Sequence, residues 1–333
     1  MAVRRAVSTS VADFHEGDLL LVACSGGPDS LALVAATAWS APRAGMRMQA
    51  VVIDHGLQAG SGAVAEDARQ TCELLGVPAE VVRVEVGRAG GPEAAARDAR
   101  YAALAETAER LGAATVLLGH TLEDQAETVL LRLARGSGAR SLAAMSRRNG
   151  LWRRPLLDLS RAAVRAAAAE ALAPIGRSPW ADPHNDDPAF SRVRVRQVLP
   201  ELDAAVGGGA VPGLVRSADL LRDDADALDG WAQDVADRIV SHEAGERSAD
   251  CSDLQALPAA IRTRVIRLIA LSVGAPGEDL GLDHVRAVEA LVVDWHGQGA
   301  VSLPGGVRAS RVYGRLCLQP SSTRDVETPD WSR

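Results

Sequence analysis

The sequence contains no lysine; all 36 of its cationic residues other than histidine are arginine. This absence excludes the G-x-x-x-x-G-K-[ST] phosphate loop, whose lysine reaches the β- and γ-phosphates. Cysteines are few and scattered: Cys24, Cys72, Cys251 and Cys317 form no C-x-x-C pair. That spacing excludes a disulfide framework, a zinc ribbon and an iron–sulfur site, so the cysteines are expected to be reduced and structural. No apolar run approaches the roughly 20 residues of a membrane span, the longest being Leu19 to Cys24 and stretches of the Ala-rich helices. The N-terminus MAVRRAVSTS lacks an apolar h-region. A cytoplasmic protein with no membrane partner is the expectation.

What is present is a chain of 333 residues, 47% hydrophobic, enough for a sizeable core and for two domains. The net charge of −7 argues against a nucleic-acid partner until it is divided along the chain. Residues 130–200 hold 13 Arg against 5 Asp or Glu, a local +8, which leaves −15 for the rest. A basic zone on an acidic protein can still steer a phosphate backbone.

Short apolar, β-branched runs at 19–23, 49–53, 80–86 and 115–118 alternate with helical patterns at 29–39, 63–75, 93–111 and 123–134. Parallel strands need crossover connections, so this alternation predicts an α/β fold with a doubly wound, mostly parallel sheet. Ligands of such sheets sit beyond the carboxyl ends of the strands. Three polar corners fall there: Ser25-Gly26-Gly27, Asp54-His55-Gly56 and Gly119-His120.

A glycine-rich stretch at 206–213 reads as a joint, and a long acidic amphipathic helix follows to about Ile239. Beyond it, helices at 259–272 and 282–293 and strands near 301, 307–313 and 316–319 read as a small C-terminal α+β unit. The expected division is 1–206 for a catalytic domain, 207–247 for a linker helix, 248–320 for the C-terminal domain and 321–333 for a mobile polar tail.

At the first corner a buried strand delivers Ser25, Gly26 and Gly27 to a helix that starts near Pro28 or Asp29. Glycines let backbone N–H groups approach a phosphate, the helix N-terminus adds positive potential, and Ser25 and Ser30 add hydroxyls. The G-x-G-x-x-G fingerprint is absent there. A plain strand-to-helix turn with proline in its first helical position is the competing reading.

The S-G-G-x-D-S pattern resembles the pyrophosphatase loop of the N-type ATP pyrophosphatases, or PP-loop family. Four further stretches choose a branch: 52–57 VIDHGL, 93–101 EAAARDARY, 119–128 GHTLEDQAET, and 135–138 RGSG with 154–157 RPLL. In order and spacing they resemble the tRNA(Ile)-lysidine synthetases. The likeness is dense from Leu19 to about Leu202 and weaker past the joint, where only 303–318 fits. The tRNA thiolases of the same fold are disfavoured because they use cysteine pairs. His184 and Val193 stand where that branch usually has Ser and Asn. The chain is also short for the branch, without room for the second C-terminal domain of longer members.

The resemblance implies an adenine nucleotide alpha-hydrolase-like fold and a ligase. ATP and Mg²⁺ would adenylate the C2 oxygen of the wobble cytidine in a minor isoleucine tRNA with anticodon CAU. Free L-lysine would then displace AMP to give lysidine. Ala23, Ser25, Gly26, Gly27, Asp29, Ser30 and Asp54 are the expected nucleotide contacts, with Mg²⁺ carried on the ATP phosphates and no dedicated metal site. Asp124 and Glu127, on one helix face with His120, are expected to hold the lysine ammonium, one of them accepting its proton, and Arg100 is expected to pair with these acids or with a phosphate. An amine of pKa about 10.4 must lose a proton before it attacks. Thr121-x-x-Asp124 also has the form of a capping box, which is the structural alternative.

Arg192, Arg194 and Arg196, with Arg135 and Arg154, are expected to hold the anticodon stem-loop, whose unpaired cytidine can be extruded. Base stacking would fall to Trp152, Trp180, Phe190 or an arginine plane. Another adenylating ligase and a non-catalytic tRNA-binding module stay open as readings, and so does a homodimer.

Overall fold

A computed structural model describes residues 1–56, 60–87, 91–136, 138–185, 187–243 and 245–321. The chain divides into two compact units, Met1–Arg222 and a second from Asp223 onward. In the first, the helices are α1 (Ala2–Ser10), α2 (Pro28–Ser40), α3 (Ser61–Leu74), α4 (Pro92–Leu111), α5 (Leu122–Leu133), α6 (Ala139–Leu142), α7 (Arg161–Leu172) and α8 (Ser191–Ala205). Its strands are β1 (Leu19–Cys24), β2 (Arg47–Asp54), β3 (Ala79–Arg83), β4 (Ala113–Leu117), β5 (Arg148–Asn149) and β6 (Trp152–Arg153). They form one sheet in the order β3-β2-β1-β4-β6-β5. All neighbours are parallel except β5 with β6, so the expected mostly parallel, doubly wound sheet is present.

The sequence of β1 explains its central place. LLLVAC has no polar alternation because strands flank it on both sides and helices cover both faces. Leu20, Val22 and Cys24 join the core beneath α1, α2, α3 and α7. Leu21 points the other way, into a second cluster with Val51, Leu104, Ala108, Val116 and Leu118. The chain runs outward from β1 to β2 and β3, then returns to place β4 on the other side of β1. The strand order therefore reverses between β1 and β4, the point at which the loops of a doubly wound sheet part to leave a crevice.

α8 ends at Gly207, Gly208 and Gly209, whose φ values of 82°, 92° and 83° suit glycine alone. The chain turns by 101° there into α9 (Ala210–Ile239). Among the described residues no single helix is long and apolar enough to cross a membrane.

The second unit packs α10 (Cys251–Ala256), α11 (Ala259–Ser272) and α12 (Leu282–Val293) with a sheet of β7 (Ser241–Glu243), β8 (Glu246–Asp250), β9 (Val301–Leu303), β10 (Val307–Val312) and β11 (Arg315–Pro320). The order is β7-β8-β11-β10-β9, antiparallel throughout. Its core includes Leu254, Ile261, Val265, Val288, Val307, Leu316 and Leu318. The expected polar tail lies, after Ser321, outside the described residues.

Candidate active site

The corner after β1 is built by hydrogen bonds within the loop. Gly27 caps α2, with Pro28 in the first turn, where a missing N–H costs nothing. The buried Ser30 hydroxyl accepts from the Ser25 backbone N–H at 3.1 Å, donates to the Gly27 carbonyl at 3.0 Å, and lies 3.3 Å from the Ser25 hydroxyl. It therefore braces the loop. Gly26 has φ +77°, and a Cβ there would come within 3.1 Å of the Ala68 side chain. Its carbonyl accepts the Trp180 N–H at 2.9 Å. Gly119, after β4, packs flat on the start of α2, where a Cβ would meet the Asp29 carbonyl oxygen at 3.1 Å. These close approaches fix the two strand ends around one crevice.

The start of α5 carries the acids. Asp124 Oδ2 accepts from the Thr121 N–H and from the Thr121 hydroxyl, both at 2.8 Å, so the capping box is formed. The other oxygen, Oδ1, is left for the site and accepts Arg161 Nη2 at 2.9 Å. The same Nη2 donates to Glu127 Oε1, also at 2.9 Å, and Arg196 Nε reaches that oxygen at 3.0 Å. Glu127 is 1% exposed; two guanidiniums make so buried a carboxylate tolerable. Burial alone would raise the pKa of Asp124, but Arg161 and the Thr121 hydrogen bonds outweigh it and hold the carboxyl below its usual range.

The crevice is a cavity of about 460 Å³ lined by Ala23, Ser25, Gly27, Asp29, Ser30, Asp54, Arg100, His120, Asp124, Arg192 and Arg196 among others. Four buried polar atoms on it have no partner among the described residues: Asp29 Oδ1, His55 Nδ1, Arg100 Nε and His120 Nδ1. Buried polar groups are almost always bonded, so four left open around one cavity mark a place for a polar ligand. Burial, helped by the nearby Asp124 charge, lifts Asp29 to about 6 against the pull of Arg161, Arg165 and Arg196. Burial pushes His120 down to about 3, with Arg100, Arg154 and Arg97 adding to the effect and Asp124 opposing it. His120 is therefore a neutral imidazole near pH 7. His55 is lowered by burial and by Arg100.

Not every expected residue reaches the cavity. Gly26 and Glu127 lie behind it, the one under Trp180 and the other behind Arg161 and Arg196. Asp54 accepts the Gly56 N–H at 3.0 Å in an Asx turn. Burial opposes ionisation there, but the Ser61 hydrogen bond outweighs it and keeps the Asp54 pKa low. Arg100 is not paired with Asp124 or Glu127; it is half-buried beside Arg97, Arg192 and the Tyr101 ring. Arg192 and Arg196, four residues apart on α8, share the face that lines the cavity. Arg194 turns away to the Pro188 and Ala189 carbonyls at 2.7 and 2.9 Å. Arg154 is buried on the Ser146 carbonyl and the Tyr101 hydroxyl, and Arg135 is exposed on the turn after α5. His184 lines the cavity and tilts against Phe190, while Val193 is buried on α8.

His55, Arg161 and Arg165 line the cavity without being singled out by the sequence. His55 follows the strand-end Asp54, and that corner is the signal by which it could be found. Arg161 and Arg165 belong to α7, an alanine-rich helix in which an arginine carries no local signal; only the fold brings them to α5.

The PP-loop domain family matches residues 2–202, and the TilS substrate binding domain family matches 250–317. A tRNA(Ile)-lysidine synthase of Thermobifida fusca is 54% identical over 318 residues, covering 95% of this chain and 96% of that one. One from Streptomyces coelicolor is 53% identical over 310 residues, covering 90% and 85%. The solved structure of a U34-tRNA thiolase from Methanococcus maripaludis superposes with a TM-score of 0.55 at 18% identity, over 66% of this chain and 78% of that one; this likeness concerns the fold alone. With the PP-loop match covering the whole parallel sheet and relatives above half identity over 90% or more of this chain, the chain belongs to the tRNA(Ile)-lysidine synthase family of PP-loop ligases.

Proposed function

We propose that this protein uses ATP to join free L-lysine to C2 of the wobble cytidine in a minor isoleucine tRNA with anticodon CAU. The observation that carries the reading is the cavity at the β1/β4 reversal. It joins an anion-binding loop to an acid-bearing helix start and leaves four buried polar atoms open to a ligand.

An oxo group on C2 is a poor leaving group, so the base oxygen first attacks the α-phosphorus of ATP and pyrophosphate leaves. The Gly27 backbone, the Ser25 hydroxyl and the N-terminus of α2 bind the phosphates and align the α-phosphorus, on a loop that Gly26 and Ser30 hold in shape. Ala23 and Asp54 flank the nucleotide at the strand ends. Arg100, half-buried among other arginines, offers its charge to a phosphate or to the developing negative oxygen. His120 stays neutral and meets the cytosine edge as a hydrogen-bonding group.

The lysine amine then attacks C2, and the C–O bond to AMP breaks. Asp124 and Glu127 hold the ammonium, and Asp124 Oδ1, the oxygen not used in the cap, accepts the proton. Arg192 and Arg196 hold the tRNA at the cavity mouth, Arg194, Arg135 and Arg154 extend the basic zone, and Trp180 offers a ring on which a base can stack.

Mg²⁺ fits at Asp29. Its unpartnered buried oxygen is a hard donor of the kind that cation prefers. When bound, the ion would neutralise phosphate charge. Residues 1–206 thus serve as the catalytic domain, 207–247 as a linker and 248–320 as a tRNA-contacting domain, in a cytoplasmic enzyme that draws on the ATP and free lysine pools.

The test is incubation with ATP, labelled lysine and the CAU-bearing minor isoleucine tRNA. Label is expected in the tRNA, with AMP and pyrophosphate released in step. AMP release that ignores tRNA would overturn the reading in favour of another adenylating ligase.

A further inference from the structure

We infer that Arg161 is a positioning residue that fills the lysine-ammonium site of the nucleotide-free enzyme and leaves it when ATP binds, so that ATP and lysine bind cooperatively. The inference rests on the reading of Asp124 and Glu127 as the ammonium site.

The observation is one nitrogen. Arg161 Nη2 stands 2.9 Å from Asp124 Oδ1 and 2.9 Å from Glu127 Oε1. That is the point between two carboxylates, at charge-assisted hydrogen-bond distance from each, where an alkylammonium nitrogen would sit. Lysine cannot bind both oxygens while Arg161 does. Removing one partner of a buried charge set is costly unless another cation replaces it. Asp124 and Glu127 are balanced here by Arg161 and Arg196, and an incoming ammonium restores that balance when Arg161 goes.

Arg161 also has somewhere to go. Its backbone is pinned at the start of α7, where its N–H donates to Glu123 Oε2 at 2.7 Å, so its side chain can move without the helix. It lines the same cavity as the Ser25 to Ser30 loop, with Arg165 one turn further along. Its charge already acts on Asp29. A bound triphosphate offers the guanidinium a second set of anionic oxygens on that side. Arg196 stays on Glu127, which is never left unpaired. A ligand shifts a two-state group by its differential affinity for the states, and the coupling is reciprocal. The amine is thereby loaded preferentially onto an enzyme that already carries nucleotide.

The experiment is calorimetric titration of free L-lysine into the full-length protein, with and without Mg²⁺ and α,β-methylene-ATP. In the wild type, nucleotide should tighten lysine binding by about 5- to 150-fold. In Arg161→Ala the two dissociation constants should converge on the tighter one. This gain of binding without nucleotide cannot come from misfolding. Arg161→Gln, which keeps the bulk and a donor but not the charge, should behave alike if the alanine variant folds poorly. Lysine binding that weakens in both states, or nucleotide dependence that survives in both variants, overturns the inference. Glu127→Gln separates this from the underlying reading: if it leaves lysine affinity unchanged in the wild-type background, lysine binds elsewhere and both fall.

Discussion

The loop after β1 and the first turn of α5 face one cavity, yet they hold their acids in opposite ways. Asp29 keeps a buried oxygen without a partner and is lifted to about 6. Glu127, more deeply buried, has its carboxylate claimed by two arginines, and Asp124 uses one oxygen to cap its own helix. The first corner is left unfinished, which suits the proposed arrival of a cation and phosphates there. The second is already neutralised within the chain, and in the proposed reaction it has to be opened. Substitutions at the two should therefore differ in sign as well as size.

The largest expected effect lies on Asp124. Asp124→Asn keeps the shape and the cap acceptor but removes the negative charge and the proton acceptor. Lysidine formation should slow by about 10²- to 10⁴-fold with a raised KM for lysine. Pyrophosphate release should continue to about one equivalent per bound tRNA, since in the proposed reaction adenylation precedes the step assigned to Asp124. Quenched reactions analysed for adenylated tRNA check this. A variant that makes neither adenylate nor lysidine places Asp124 with the nucleotide.

Next in size is the cost of unbalancing the acid corner. Glu127→Ala leaves Arg161 and Arg196 without their shared carboxylate, and truncating one partner of a buried pair costs about 3–5 kcal/mol. Denaturant unfolding of the apo protein should show this loss. A loss below about 1 kcal/mol would mean that the arginines find water or Asp124 instead.

Asp29 should show the reverse sign. Its folded pKa of about 6 lies above the ordinary value of 3.8, so the folded state holds the proton more tightly. Stability therefore falls as the pH rises from about 4 to about 6 and stays lower above that window. Asp29→Asn removes the ionisation and should raise the apo melting temperature at pH 7.5 by a few degrees, for about 1 kcal/mol. The gain should vanish near pH 4. The same variant should lose stabilisation by Mg²⁺ and ATP while keeping tRNA affinity. A melting temperature that falls at pH 7.5 would show that Asp29 is paired in solution, and the contrast between the corners would collapse.

The two corners also differ in how far the sequence exposes them. The loop is local: strand, glycines, Pro28 and Ser30 fall within a dozen residues, and Ser25, Gly27 and Ser30 bond one another inside that stretch. The acids of α5 are equally visible, because a capping box is a short local pattern. The cations that answer them are not. Arg161 lies 34 residues from Glu127 and Arg196 lies 69 away, and nothing in an alanine-rich helix tells which arginine the sheet topology will carry to the site. Ser30 shows a subtler limit. Its position in the loop is plain from the motif, but its hydroxyl turns inward to hold Ser25 and Gly27, a direction set by the turn and not by the residue type. The strands and helices of the parallel sheet are legible from apolar runs alternating with helical periods, whereas β5 and β6, of two residues each, are too short to carry a period.

The smallest effect separates arginines that the sequence sets side by side. Arg192, Arg194 and Arg196 alternate with valines, yet on α8 only Arg192 and Arg196 line the cavity, while Arg194 bonds the carbonyls of Pro188 and Ala189. Removing one arginine from a tRNA phosphate lowers the slope of log affinity against log salt by about one unit at most. Arg192→Ala should show that change, with weaker tRNA binding and intact ATP binding. Arg194→Ala should leave the slope within error, because its guanidinium is already engaged within the chain. Filter binding of the tRNA across a salt series measures both. An equal drop in the two variants would mean that the 188–190 turn opens on the tRNA and frees Arg194 for a phosphate. The basic zone would then form a track along both faces of α8, whereas an unchanged slope in both would reduce it to a solvated surface beside the cavity.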